Sequence, residues 1–286
     1  MKLCVVLMAA LLPALAAPRV LAQDPAPAEP QQNAQPRRNP AEDADYANAR
    51  KLADPARRAD ALENFVKRYP NSGMKAEAWE GAMAAYQQAG NAAKAVELAQ
   101  RILELEPQNV RALYVYVAQA RAMGDQGPDD ARELAMQGTL ALNAWMKPED
   151  MPDAEYTRLR GQMAATFTSA VAYYAMVGRD LGTARMYYQQ ALLVNPMSLE
   201  DTYLLGLVQV EMQPPDPAGF WYIARAIHLA KAAKNGSETF IANYGRLKYA
   251  EFHGDLGGWA EIVTRAANET TIPDDFTVGQ SSPPDN

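Results

Sequence analysis

The chain of 286 residues has one cysteine, Cys4, and two histidines, His228 and His253. With no second cysteine, no disulfide can form within the chain, and cysteine-based metal sites are excluded. Neither histidine belongs to a His-Glu-x-x-His segment or to any pair at ligand spacing, so no metal and no cofactor is expected. A basic surplus is missing too: 27 Lys and Arg stand against 34 Asp and Glu. That balance repels nucleic acid and anionic lipid. Arg37-Arg38 and Arg57-Arg58 are isolated pairs, not a basic stripe. Strand alternation, a phosphate-cradling glycine loop and a Gly-x-Ser-x-Gly segment are likewise lacking.

Only one long apolar run is present, and it lies at the start. Lys2 precedes the apolar stretch Leu3 to Leu15, which is shorter than the roughly 20 residues a membrane helix needs. This is the pattern of a secretory signal over residues 1–22. Val20-Leu21-Ala22 places cleavage after Ala22, with Ala16 as the alternative. The mature chain is therefore expected outside the cytoplasm, periplasmic or extracellular, with no stable membrane insertion. Loss of Lys2 and Arg19 would take the formal charge from −7 to −9. Cys4 would leave with the leader, so a packed apolar core must hold the mature chain together.

Residues 23–42 are rich in Pro, Ala, Gln and Asn and show no apolar period, the composition of a disordered linker. Residues 272–286 contain Pro273, Gly279, Pro283 and Pro284 and are expected as an extended or disordered tail. Alternatively, Phe276 and Val278 anchor that tail along the folded part. Between these ends, residues 43–271 carry helical periods. Trp79, Ala82, Met83 and Tyr86 lie on one helical face, and Gly90-Asn91 ends that run. Val96, Ala99, Ile102 and Leu103 form the next stripe, closed by Pro107. Further runs cover 110–124, 129–145, 153–177, 181–194 and 219–234. Trp259, Ile262, Val263 and Ala266 make a short last stripe.

The spacing Trp79-x2-Ala82-Met83-x2-Tyr86, Ala95, Pro107 resembles the tetratricopeptide repeat, a 34-residue helix–turn–helix unit. Ala184, Tyr188, Ala191 and Pro196 repeat its second-helix spacing, and Leu205-Gly206 matches its Leu-Gly pair. The run from Phe65 to Ser72 is similar to repeats of bacterial envelope-assembly and cell-division proteins. Pro107 and Pro196 are 89 residues apart, about 21 more than two repeats require. The surplus places an insertion near Met146 to Tyr156. The resemblance implies an all-α, right-handed α-solenoid with a C-terminal capping helix at Trp259 to Asn268.

Members of this family bind proteins far more often than they catalyse, so the expected function is a non-catalytic scaffold for a protein or peptide partner. The family's groove is lined by the first helix of each repeat. By that resemblance the groove residues here are Glu80, Gln87, Arg111, Tyr114, Arg121, Tyr203, Leu207 and Val210. Glu77 and Glu80 stand where carboxylate-clamping members place cations, which argues against that mode. Two alternatives stay open. One is an exported enzyme or glycan-binding protein using groove acids or aromatics, for which Phe220-Trp221-Tyr222 offers a stacking platform. The acid clusters at Asp129-Asp130, Glu149-Asp150 with Asp153, and Asp274-Asp275 instead read as solvated helix starts and loops. The other alternative is a structural subunit bound through repeat edges.

Overall fold

The computed structural model describes residues 39–279, apart from residues 150 and 235. The leader, most of the linker and the last seven residues lie outside the described residues. Those described form twelve α-helices and no strand. In order they are α1 (Pro40–Arg50), α2 (Pro55–Arg68), α3 (Lys75–Gln88), α4 (Ala92–Leu105), α5 (Val110–Ala122) and α6 (Ala131–Ala144). There follow α7 (Asp153–Val177), α8 (Leu181–Val194), α9 (Leu199–Glu211), α10 (Ala218–Ala233), α11 (Glu238–His253) and α12 (Trp259–Asn268). From α2 to α11 each helix packs on its neighbours in sequence, and α12 folds back onto α10. α1 is joined to α2 by the Tyr46 and Phe65 rings, 5.3 Å apart, and by Arg68 and Tyr69 on Asp45.

Local chemistry sets the boundaries. Asp54 caps α2 by accepting from the Arg57 N–H at 2.8 Å, with Pro55 at the first helical position. Asn91, Asn109, Asp180 and Ser198 cap α4, α5, α8 and α9 in the same way. Gly90, at φ 74°, and Gly254, at φ 106°, supply left-handed turns after α3 and α11. α1 begins at Pro40, slightly ahead of the expected linker boundary at residue 42.

Buried alanines, leucines and aromatics fill the interfaces, among them Leu62, Leu98, Ile102, Leu113, Phe167 and Tyr188. One interface is closer than side chains would allow. A Cβ on Gly206 would lie 2.8 Å from the Ile223 backbone nitrogen, and one on Gly219 would lie 2.6 Å from the Gly206 carbonyl oxygen. The two glycines let α9 and α10 touch backbone to backbone.

The tail does not hang loose over its described part. Phe276 meets Trp221 with ring centroids 5.4 Å apart, and Ile272 and Val278 pack on the same cluster. Arg265 holds Asp275 at 3.1 Å, and His253 Nδ1 lies 2.6 Å from the Gly279 carbonyl oxygen. Of the two sequence expectations for this segment, anchoring by Phe276 and Val278 describes residues 272–279. Trp221, Phe220 and Tyr222 are packed rather than presented: the first two are buried and the third half-buried.

Candidate functional site

The odd-numbered helices meet along one face through named side-chain pairs. Arg50 of α1 reaches Glu77 of α3 at 3.4 Å, and Glu80 of α3 pairs with Arg111 of α5 at 3.7 Å. Tyr114 of α5 sets its ring edge-on to Phe167 of α7. Ser169 of α7 donates to Asp201 of α9 at 2.5 Å. Tyr203 of α9 packs against Phe240 and Tyr244 of α11. Arg121 links three of these helices: it leaves α5, lies 3.7 Å from the centroid of the Tyr173 ring on α7, and pairs with Glu200 on α9.

At the N-terminal end this face opens into a cleft of about 710 Å³. One wall is made by Tyr46 and Arg50 of α1, Glu77 and Glu80 of α3, and Arg111 of α5. The opposite wall is the connection between α6 and α7, which contributes Trp145, Met146 and Met151, together with Glu155 in the first turn of α7. This connection coincides with the segment where the proline spacing leads to the expectation of an insertion. It emerges as an eight-residue loop, 145–152, followed by a helix of 25 residues where most of the others have 13 to 16.

Three contacts fold the insertion back. The Trp145 and Tyr156 rings stack 4.9 Å apart, the Tyr156 hydroxyl donates to the Trp145 carbonyl oxygen at 2.8 Å, and Arg160 donates to the Leu142 carbonyl oxygen. Arg160 thereby adds a second donor to a terminal carbonyl of α6, which also accepts from the Trp145 N–H at 3.3 Å. Lys147 pairs with Asp153 at 2.5 Å, and this contact holds the Asp153 carboxyl below the usual carboxylate range. Met146 is left 83% exposed at the mouth of the cleft.

Charges within the cleft are organised. Asn109 donates from Nδ2 to Glu80 while its Oδ1 caps α5, so one residue starts the helix and fixes the carboxylate. Burial and the neighbouring Glu77 carboxylate push the Tyr46 hydroxyl well above the ordinary tyrosine range, so it stays a neutral donor. No known protein family and no curated protein matches this chain.

The eight residues expected in the groove fall in different places. Glu80 and Arg111 line the cleft together. Tyr114, Arg121 and Tyr203 are on the same face, but their main contacts are to neighbouring helices. Gln87 is exposed at the end of α3, near a shallow recess with Val115 and Gln119. Leu207 is half-buried. Val210 is buried against Gly219, where its side chain would collide with any added Cβ, and so presents no binding surface. Arg50, Trp145, Met146, Met151 and Glu155 complete the lining from outside the expected groove residues. A tryptophan and a methionine just ahead of Pro148, in a segment that runs on to Pro152, are the available signal: apolar side chains with no periodic helix to bury them. Among the described residues no group of three His, Cys, Asp or Glu is placed to hold a metal ion.

Proposed function

We propose that this chain is an exported, tetratricopeptide-like right-handed solenoid, capped by α12, which binds a protein partner by taking an extended segment into the cleft between α1, α3, α5 and the α6–α7 insertion. The observation that carries this reading is the insertion itself. It adds a second wall to one end of an otherwise regular array and leaves Met146 exposed and Trp145 half-buried there. Large apolar and aromatic side chains beside a concave polar surface are favourable anchors for a partner. Helix pairs joined by short turns, stacked consecutively, support the repeat assignment.

The arrangement favours binding over catalysis. Glu77 and Glu80 are each paired with an arginine, as in structural ion pairs along a binding face. The test is a crosslinked pull-down from envelope extract, comparing the wild-type protein with the Trp145→Ala/Met146→Ala variant. A discrete partner recovered by the wild type and lost with this variant, whose circular dichroism is unchanged, is the expected result. A partner retained by the variant would move binding away from the cleft. Recovery of glycan fragments alone would favour the glycan-directed reading.

A further inference from the structure

We infer that the cleft accepts a basic segment, with an apolar side chain on Trp145 and Met146 and a lysine or arginine directed to Glu155, near the exposed Glu149. This inference rests on the peptide-binding reading above and adds the charge of the ligand.

The cations of the cleft are committed. Arg50 is held by Glu77, and Arg111 by Glu80, which also receives the Asn109 amide. An incoming carboxylate would share each guanidinium with the glutamate already beside it, and the two like charges would repel.

The anions of the opposite wall are not committed in this way. Between residues 145 and 156 the one basic residue is Lys147, against Glu149, Asp150, Asp153 and Glu155. Lys147 is taken by Asp153. Glu155 lines the cleft and is exposed, and Glu149 is exposed beside Pro148, another lining residue. Neither glutamate pairs with a cation among the described residues. A cation entering between the walls therefore meets the Glu155 carboxylate, with the exposed Glu149 one residue beyond the lining Pro148, without breaking an existing pair. Complementary charge of this kind selects partners and speeds their encounter more than it adds affinity.

The apolar part of the site fits the same ligand. Met146 is exposed and unbranched, and methionine adapts to irregular apolar shapes. Lysine and arginine present an aliphatic stem below the charge, which can lie along Met146 and Trp145 while the head reaches the acids.

The experiment titrates the protein into three pools of fluorescein-labelled peptides about nine residues long. Their flanks are degenerate and their central triad is Lys-Leu-Lys, Glu-Leu-Glu or Ser-Leu-Ser. Expected is binding of the lysine pool about tenfold tighter than the glutamate pool at low salt, a gap that narrows as salt shortens the screening length. The Glu149→Lys/Glu155→Lys variant should abolish or reverse that preference. Glu133→Lys/Glu261→Lys makes the same change in net charge at two exposed positions that do not line the cleft, and should keep it. Equal loss in both variants would show a diffuse field rather than a site and would overturn the inference. Tighter binding of the glutamate or serine pool would overturn the charge assignment alone and leave the peptide-binding reading standing. No binding by any pool would overturn both.

Discussion

The two ends of this helical array use aromatic residues in opposite ways. At the C-terminal end Trp221 meets Phe276 edge-on, Phe220, Tyr249, Phe252 and Trp259 meet in edge-on and tilted pairs, and the tail packs on the apolar cluster they share. At the N-terminal end Trp145 and Tyr156 stack on each other, but the wall they build faces Arg50, Glu80 and Arg111 across open space. The same helix pairs thus produce a closed end and an open one. The difference is what faces the rings. Ring against ring excludes water and contributes burial plus a geometric preference of about 0.5–1.5 kcal/mol per pair. Charged pairs opposite a ring keep their water, and the gap persists. Closure here serves stability, and openness serves recognition.

The sharpest break in that comparison comes from removing one tryptophan at each end. Trp221 is 1% exposed, so Trp221→Ala is expected to cost about 3–5 kcal/mol of unfolding free energy. A shift in the denaturant midpoint checks it. Next in size is truncation after Ile272, which removes Phe276 and Val278 from the apolar cluster. Because both are only half-buried, the expected loss is about 1–2 kcal/mol, measured the same way. Trp145→Ala removes a half-buried ring stacked on one neighbour and should cost about 1 kcal/mol. A Trp145→Ala loss as large as that of Trp221→Ala would erase the distinction between the ends.

The smallest expected effect is in the pH dependence. Burial pushes the Tyr244 hydroxyl up to about 12, above the ordinary value near 10. The folded state then holds that proton more tightly than the unfolded chain does. The associated stability is intact below pH of about 10 and declines as pH rises towards about 12. Phenolate absorbance followed alongside the unfolding midpoint should show this decline, and Tyr244→Phe should lessen it.

Much of the helical layout was legible in the residues. α7, α8 and α12 begin and end where their apolar periods and flanking Gly or Pro residues place them. Local caps such as Asn91 and Asp180 act within a few residues, and such signals survive in one dimension. The tail was harder. Phe276 and Val278 show no helical period, and their partner Trp221 is remote in sequence, so only the fold reveals what covers what. The cleft was half legible. Glu80 and Arg111 were expected on the groove face because each sits on the first helix of its repeat. Trp145 and Glu155 join them only because the insertion folds back through Tyr156 and Arg160, and Arg50 because α1 brings it against Glu77; no local spacing records either event. Val210 fails as a groove residue for a related reason. The Gly206–Gly219 contact draws α10 so close to α9 that the next turn is buried.

Site-specific photo-crosslinking tests the central claim most directly. A photoreactive phenylalanine analogue would replace Met146 at the open cleft or Phe240 on α11. These side chains are 83% and 65% exposed, so accessibility alone does not decide between them. The account predicts a discrete crosslinked partner from position 146, competed away by the lysine-centred peptides, and none from position 240. A partner captured at 240 and not at 146 would contradict it.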